Sequence, residues 1–315
     1  MEMLIKDLPE SGVITDPGAY RVDMAAYHTQ EICDGVSMSS SGLREIHTKS
    51  PFHYYSTSPF NPKRFPRVDT DPMMFGRAAH ALILGDEVFA DHYKVRPIEF
   101  NSYKSADAKQ WKSDVIATGY TPLTPEDVIH IGYMSESLSR MELIDLLMEG
   151  HQEVSHFWKD AKTGIWLKSR LDQTSTGGDL IDLKVTFDAS DRGVDRVMAQ
   201  RGYPMQGALA YEASENSWGY TPPGLFFAFV EPKPPYLVNI MPVDDDAIHL
   251  ARFRNRKAID TFYECMKTGH WHYPEMTMNR AYSLKPWEVE ELDAYKAAAL
   301  KKEREITVTE FDPND

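Results

Sequence analysis

The segment from Ile165 to Thr186, IWLKSRLDQTSTGGDLIDLKVT, places charged side chains inside a strongly apolar stretch. Apolar residues on both sides of Asp182 and Lys184 predict a β-strand that is buried on both faces. Side chains alternate along a strand, so Asp182 and Lys184 share one face and Leu183 points to the other. Buried charges need partners or a metal. The chain must therefore build a sheet whose central strand carries an acid and a base. The apolar residues of this strand are Leu180, Ile181, Leu183 and Val185.

A Gly177-Gly178 turn precedes this strand and predicts a hairpin with Asp172 late in its first strand. If the strands pair, Asp172 approaches the face of Asp182 and Lys184. Two carboxylates suit a hard cation such as Mg²⁺, and an ammonium suits a water or a phosphate oxygen. The constellation is typical of phosphodiester hydrolysis. A solvent-facing ion pair is the common alternative for a D-x-K triplet, and the apolar flanks favour the buried interpretation.

Composition bounds the class of protein. With 315 residues, 42% hydrophobic and 26% charged, the chain can bury one large core or two small ones. It contains no apolar run of about 18 residues, and its N-terminus lacks the apolar core of a signal peptide. We therefore expect a soluble cytoplasmic protein of a bacterial or phage-infected cell, with no membrane partner.

The cysteines and histidines argue against a soft-metal site. Cys33 and Cys265 are the only cysteines, and the 11 histidines show no H-E-x-x-H or zinc-finger spacing. This excludes a four-cysteine zinc or iron–sulfur site and favours a metal held by oxygen ligands.

A net charge of −14 argues against a protein that coats nucleic acid, but it leaves room for a nuclease with a confined basic channel. Two basic groups are candidates for such a channel, although each can equally be an ordinary solvated face. They comprise Lys63, Arg64, Arg67 and Arg77, and Arg252, Arg254, Arg256 and Lys257.

The remaining pattern predicts helices and strands in a definite order. Residues 1–38 lack a clear period and are expected to form an arm. An apolar helix over Asp71 to Leu84 carries Gly76 and His80 on one face, where the glycine would let another backbone come close to the imidazole. His80 can be either a hydrogen-bonded core residue or a ligand. The other predicted helices begin at Ser39, Ser50, Ser105, Thr124, Asp191, Tyr203, Asp244 and Pro286, with strands over 153–160, 165–172, 180–186, 224–232 and 236–243.

This order resembles the PD-(D/E)xK nuclease superfamily, and within it the RecB-like branch with the phage and prophage RecE-type exonucleases (exodeoxyribonuclease VIII). The resemblance runs from about Ser39 to about Tyr211. It rests on SSSGLREIHTKSPFHYY, FGRAAHALIL, Glu153, Asp172, the Asp182-Leu183-Lys184 triplet and YPMQGALAY. It implies an α/β fold with a restriction-endonuclease-like core, in which helices flank a central mixed β-sheet. The implied domains are an arm (1–38), a nuclease domain (39–304) and an acidic tail (305–315).

The resemblance also implies a role for each matching residue. Asp172 and Asp182 would bind Mg²⁺, for which Mn²⁺ can substitute. The Leu183 carbonyl and His80 would add ligands, and Glu153 would bind or orient a second metal or its water. Lys184 would polarise the attacking water, and Gln206 would help to hold the DNA strand and the Lys184 face.

Two departures from the family pattern matter. The family spaces its glutamine and tyrosine four residues apart, whereas Tyr211 is five from Gln206 and lies about 140° round a regular helix, so its role stays open. Relatives with an iron–sulfur cluster have a cysteine before the proline of the second helix, where this chain has Ser50. We therefore expect no iron–sulfur cluster.

The activity implied is a Mg²⁺-dependent exonuclease that degrades one strand of linear double-stranded DNA from its end. The resemblance further implies a ring-shaped homo-oligomer and a single-strand annealing protein as partner in phage-type recombination or repair. Two alternatives remain at this point. One is a non-catalytic DNA- or protein-binding member of the same fold, and the other is a structure-specific endonuclease.

Overall fold

The computed structural model of the protein describes residues 3–66, 69–85, 89–141, 149–273 and 283–309. The chain divides into two compact units, Met1–Pro274 and Glu275–Asp315. No described helix is long and apolar enough to cross a membrane.

Twelve described strands form the sheets of the first unit. They are β1 (Ile5–Asp7), β2 (Gly18–Arg21), β3 (Ser37–Ser39), β4 (Tyr93–Val95), β5 (Thr121–Leu123), β6 (Gly150–Gln152), β7 (Ser155–Lys159), β8 (Trp166–Arg170), β9 (Gln173–Ser175), β10 (Leu180–Val185), β11 (Leu225–Val230) and β12 (Val238–Pro242). One five-stranded sheet has the order β1-β2-β7-β8-β3 and a second has the order β12-β11-β10-β9-β6. In the second, β10 runs parallel to β11 and antiparallel to β9. The predicted α/β class with mixed sheets is confirmed.

The described residues form eleven helices, and the ten that lie in the first unit flank its sheets. They are α1 (Met24–His28), α2 (Ser40–Thr48), α3 (Pro51–Thr57), α4 (Asp71–Ile83), α5 (Phe89–His92), α6 (Ala106–Ala117), α7 (Pro125–Ser139), α8 (Asp191–Arg201), α9 (Tyr203–Trp218), α10 (Asp245–Thr268) and, in the second unit, α11 (Pro286–Thr309). The predicted starts hold for local reasons. The Ser50 hydroxyl accepts the His53 N–H at 3.2 Å, and Thr124 forms a capping box with Asp127.

Strands β6 and β7 and strands β8 and β9 form the two arms of one long hairpin, which bends from the second sheet into the first. Gln152 pairs with Gln173 in the second sheet, and Ser155 pairs with Arg170 in the first. The pairing register is therefore the same on both sides of the bend. At the bend the Glu153 N–H donates to the Asp172 carbonyl at 2.9 Å, and Glu153 has a left-handed φ of 49°. The three-strand meander that we predicted is thus divided between two sheets, and Asp172 lies at the crossing rather than inside a strand.

The N-terminal residues are not the loosely packed lead-in that the sequence predicted. Strand β2 pairs with β7, and β3 runs parallel to β8. Ile14, Tyr20 and Tyr27 are buried in a small apolar cluster with Phe157. The prediction was wrong because strands of three or four residues are too short to show a period.

Two other boundaries differ from the sequence prediction. The helix predicted to begin at Thr124 ends at Ser139, although its amphipathic pattern runs on to Met148, and residues 142–148 lie outside the described residues. Helix α11 continues to Thr309 and so passes the expected 304/305 boundary. Residues 310–315 of the expected tail are also outside the described residues. The domain boundaries stay predictions.

Helix α9 packs closely against the second sheet. A Cβ at Gly207 would collide with the side chain of Leu225 on β11, so any larger residue would require Leu225 or α9 to shift. Asn255 of α10 donates to the Met205 carbonyl at 2.8 Å and fixes the first turn of α9. Together these contacts place Gln206, the residue between them, over β10.

Candidate active site

Strand β10 is buried on both faces, as its sequence predicted. Leu180 joins the large apolar cluster on the side of α9, while Leu183 joins the cluster built by α4 and α7 on the other. Both residues are at most 5% exposed. Asp182 and Lys184 therefore point into a covered face rather than into water, which excludes the solvent-facing ion pair.

Asp182 has partners on both carboxylate oxygens. The Gln206 amide donates to Oδ1 at 2.8 Å, and the Lys184 ammonium is paired with Oδ2. The Asp182 side chain is 2% exposed. The Gln206 Oε1 atom is buried without a hydrogen-bond partner among the described residues, so it has a free lone pair for a water or ligand proton.

Asp172 is held beside this pair by the bend of the hairpin. Its Oδ2 accepts the Leu183 N–H at 2.6 Å and lies 3.2 Å from His80 Nδ1. Burial alone would raise the pKa of the Asp172 carboxyl. His80 and Lys184 outweigh burial, so this pKa lies below its ordinary value. Asp172 is therefore ionised at neutral pH.

Lys184 lies among aromatic rings. Its Nζ is 4.9 Å from the centroid of the Tyr203 ring and 5.9 Å from that of Phe227. Burial lowers the pKa of the Lys184 ammonium to about 8, Asp172 opposes this shift and Arg44 adds to it. An ammonium with this pKa is charged at neutral pH but releases its proton more readily than an exposed lysine.

Glu153 lies next to Asp172 in the backbone, but its side chain points elsewhere. Its carboxylate accepts the Arg170 guanidinium at 2.6 Å. Arg170 also donates to the Val22 carbonyl at 2.7 Å, which anchors the pair. The structure thus brings Glu153 to the edge of the site and shows it as the partner of Arg170.

The donor set suits a hard cation. Asp182 lies on β10 and Asp172 directly before β9, the neighbouring strand in the second sheet. Both provide carboxylate oxygens, and Mg²⁺ typically takes one or two carboxylates and keeps several waters. Within the described residues no three His, Cys, Asp or Glu side chains converge as a closed metal cage. The residues therefore fit an open, partly hydrated Mg²⁺ and do not fit a dehydrated all-protein site.

Among the cavities that adjoin this cluster, one is lined by Gln206 and another by Lys184. The first, which we call the serine cavity, has a volume of about 190 Å³. The second, the aromatic cavity, has a volume of about 400 Å³. The serine cavity is lined by Ser39, Ser40, Ser41, Arg44, Glu153, Arg170, Asp172 and Gln206, with Met24, Tyr27 and His28. The aromatic cavity is lined by Phe75, His80, Lys184, Phe187, Tyr203 and Lys233, with Asp71, Pro72, Gly76, Asp127, Val185, Thr186 and Pro232.

Sequence reasoning missed Arg44 and Tyr203. The Arg44 guanidinium is 5.5 Å from the centroid of the Tyr203 ring and donates to the Arg201 carbonyl at 3.1 Å. Arg44 lies inside the SSSGLREI segment, where an arginine at the centre of a short amphipathic helix was the available signal. Nothing local in the chain indicates that Tyr203 packs beside Lys184.

Gly76 differs from its predicted setting, and Tyr211, whose role the sequence left open, lies in the core. A Cβ at Gly76 would meet nothing within 4 Å, so the prediction that this glycine admits a close backbone was wrong. Gly76 instead lines the aromatic cavity. Tyr211 is buried in the large apolar cluster, as its position round the helix from Gln206 requires.

The predicted basic groups are partly neutralised by acids. Arg77 pairs with Asp69 at 2.6 Å, and Arg252 pairs with Glu215 at 2.6 Å. Arg256 pairs with Asp160 at 2.6 Å and with Asp260 at 2.7 Å. Arg67 lies outside the described residues.

Asp182 and Lys184 on a mixed sheet, with Asp172 and Gln206 beside them, are the arrangement that the resemblance to the PD-(D/E)xK superfamily implied. The chain belongs to the family described as "PDDEXK-like domain of unknown function (DUF3799)", whose model matches residues 39–277. The predicted superfamily is thereby confirmed.

Solved structures support the same fold. A protein from Eubacterium rectale described as a "putative exonuclease" aligns with a TM-score of 0.59 at 17% identity, covering 84% of this chain and 96% of that one. The restriction-endonuclease-like core is thereby confirmed. The structure of SSO0001 aligns with a TM-score of only 0.25 at 12% identity, over 61% of this chain and 78% of that one, and carries no weight. No curated protein matches the chain.

Proposed function

We propose that the protein is a Mg²⁺-dependent deoxyribonuclease, and that it acts as an exonuclease of the RecE type on one strand of linear duplex DNA. The observation that carries the nuclease proposal is the contact network of Asp172, Asp182, Lys184 and Gln206 at the centre of the second sheet. A buried Asp182–Lys184 pair, with Lys184 lining one cavity and the neighbouring Asp172 and Gln206 lining another, has no evident purpose in a binding module. Membership of the PDDEXK-like family supports the same activity.

Each residue has a defined task in this proposal. Asp172 and Asp182 would hold Mg²⁺, with the Leu183 carbonyl as a further ligand. The bound ion supplies a lowered pKa for coordinated water and neutralises charge on the phosphate. Lys184 orients the attacking water and donates to a phosphate oxygen as negative charge develops there.

The neighbouring residues position these groups. Gln206 fixes Asp182 through its amide, and its free Oε1 can accept a proton from a bound water. His80 holds Asp172 in place and would be a further ligand for the ion. Glu153 orients Arg170 at the edge of the serine cavity or takes a water of a second ion.

The finer parts of the proposal come from the family resemblance. They are a ring-shaped homo-oligomer, a cytoplasmic location, a role in phage-type recombination with a single-strand annealing partner, and substitution of Mn²⁺ for Mg²⁺. The fold match to an exonuclease-like protein is compatible with them, and each needs its own test.

One experiment separates the candidate activities. Purified protein is incubated with end-labelled linear duplex and with covalently closed circular duplex, in Mg²⁺ or in chelator, beside an Asp182→Asn control. Metal-dependent loss of the linear DNA alone supports the exonuclease. Cutting of the closed circle would replace it with an endonuclease. Cleavage of neither DNA by the wild type would leave a non-catalytic binding protein.

A further inference from the structure

An exposed phenylalanine follows the catalytic strand. Phe187 comes three residues after Lys184, lines the aromatic cavity and is 81% exposed. Its ring belongs to none of the apolar clusters formed by the described residues. A large apolar side chain beside a candidate active site, with no described neighbour covering it, is suited to contact a ligand.

The backbone around Phe187 is firmly held, so its exposure is a fixed feature of the fold. The Thr186 N–H donates to the Val230 carbonyl at 3.0 Å. The Ala189 N–H donates to Glu231 at 3.0 Å, and the Asn239 amide donates to the Ala189 carbonyl at 3.0 Å. Phe187 is thus presented on a short loop tied to the second sheet on both sides.

The charges of the aromatic cavity favour an uncharged ligand group. Lys184 and Lys233 line it, but so do Asp71 and Asp127. The Asp127 carboxylate is committed to the α7 cap, where it accepts the Thr124 N–H at 2.8 Å. The two lysines are thus matched by two aspartates, and Phe75, Phe187 and Tyr203 offer apolar ring surface to a flat, neutral group. The volume of about 400 Å³ lies within the usual range of small-ligand sites.

We propose that the aromatic cavity binds a nucleobase of the strand being cut, next to the scissile phosphate, and that Phe187 stacks on that base. The proposal rests on the proposed nuclease function and adds a base-binding site to it. Stacking on an aromatic ring is tolerant of sequence because every base has a π-face. The site would therefore hold the strand in register without selecting a sequence.

The serine cavity, at the Asp172 and Gln206 end of the cluster, suits the charged backbone of the same strand. Arg44 and three consecutive hydroxyls line it, and both the Arg44 Nε and the Ser40 Oγ atoms are buried without a hydrogen-bond partner in the described structure. These are the donors that a phosphate oxygen accepts from. A strand that runs from the serine cavity to the aromatic cavity passes Asp172 and Lys184 on its way.

The test removes the Phe187 side chain from the protein and one base from the DNA. Single-turnover cleavage is measured on strands that carry one abasic nucleotide on either side of the scissile bond. We expect the wild type to cut about 5- to 20-fold more slowly when the stacked base is missing. Phe187→Ala should slow cleavage of normal DNA by a similar factor and should gain no further defect from the abasic site. Phe187→Trp should cleave at the wild-type rate, because it keeps an aromatic ring at this position.

Phe253→Ala is the matched control, because Phe253 is 68% exposed on α10 and lines neither cavity. It should behave as the wild type on every substrate. The proposal is overturned if Phe187→Ala keeps the full rate, or if the abasic penalty is as large in Phe187→Ala as in the wild type.

A binding measurement keeps the test independent of turnover. Oligonucleotides with 2-aminopurine at the same positions are titrated with protein in Ca²⁺, and stacking should quench the fluorescence in the wild type but not in Phe187→Ala. Binding without quenching would defeat base stacking while leaving the nuclease proposal intact. Quenching without cleavage of any DNA would retain the base site and defeat the nuclease proposal.

Discussion

Asp182 and Lys184 form an ion pair that is almost wholly removed from water, with side chains 2% and 14% exposed. Burying both charges costs free energy that their mutual attraction does not reliably return. A pair of apolar residues would stabilise the sheet at least as well. The proposed reaction therefore explains the pair better than a contribution to stability does.

We expect Asp182→Asn and Lys184→Met each to lower the rate of DNA cleavage by at least about 100-fold with the fold retained. Asp182→Asn should also weaken Mg²⁺ binding measured by calorimetry, because a carboxylate ligand is lost. Lys162→Met is the control, since Lys162 is an exposed lysine paired with Asp260. Near-normal cleavage by either folded site variant would refute the assignment.

Replacing His80 tests whether this histidine helps to bind the metal or only stabilises the core. Its side chain is 25% exposed and contacts Asp172. We expect His80→Ala to raise the Mg²⁺ concentration needed for half-maximal cleavage, with a change in melting temperature of no more than about 2 °C. A large loss of melting temperature with unchanged metal dependence would return His80 to a packing role.

Residue patterns predicted the identity of the site better than its geometry. The apolar flanks of Asp182 and Lys184 were sufficient to place them on a buried strand. The side chain of Glu153 could not be placed, because its direction is set by Arg170 and by the backbone at the bend, and neither appears as a period in the sequence. Arg44 and Tyr203 reach Lys184 only through the packing of α2 and α9.

At the scale of elements, α9 determines whether Gln206 can reach Asp182. We expect Gly207→Ala to destabilise the protein by about 1–3 kcal/mol and to slow cleavage, because the new methyl group pushes α9 away from Leu225. Gly132→Ala on α7 is the matched control. A Cβ at Gly132 meets nothing within 4 Å, so alanine there should stabilise by about 0.5–1 kcal/mol. If urea unfolding gave the same change in the free energy of unfolding for Gly207→Ala and Gly132→Ala, the close packing of α9 on Leu225 would be contradicted.

Glu212 on α9, near Arg252 of α10, makes the free energy of unfolding depend on pH. Burial raises the pKa of the Glu212 carboxyl to about 7 from 4.5, and Arg252 only partly opposes this. The folded state thus holds the proton more tightly than the unfolded state. The stabilisation that comes from protonated Glu212 is fully present below pH 4.5 and is lost as the pH rises through 7.

We therefore expect Glu212→Gln to be more stable than the wild type at pH 8 by about 2 kcal/mol, and to show little difference at pH 4.5. Thermal unfolding at both pH values measures this. Glu99→Gln, the same substitution at an exposed position, is the control. A gain of the same size at both pH values would mean that the proton is not involved.

The helices and long strands were predictable because caps and periods are local. Ser50, Thr124 and the apolar run of β10 each act within one turn or one strand. The crossing of the hairpin from one sheet to the other was not predictable, since alternation of side chains continues through a bend. The short strands β2 and β3 pair with β7 and β8 far along the chain, and strands of this length leave no pattern of their own.

At the scale of the whole molecule, a net charge of −14 must be reconciled with a polyanionic substrate. Arg77, Arg252 and Arg256 are paired with acids, so they are weak candidates for a basic lining in a single chain. A ring of subunits would concentrate the remaining cations, Lys63, Arg64, Arg254 and Lys257 among them, around one channel.

We expect a homo-oligomer by light scattering, processive digestion of long duplexes, and DNA binding that weakens steeply as salt rises. Varying the enzyme concentration below the assembly threshold provides the control, since processivity should fall as the oligomer dissociates. A strictly monomeric protein that releases DNA after each cut would remove the ring and leave the nuclease proposal standing.

The bent hairpin limits how this enzyme can vary in length. Loops usually accept an extra residue, but one inserted between β8 and β9 would shift β9 and exchange its inward and outward side chains. The crossing that holds Asp172 opposite Glu153 would lose its register at the same time. Relatives that retain this site should therefore accumulate insertions elsewhere, for example in the turn at Gly164, and keep the number of residues from Trp166 to Ser175 nearly constant.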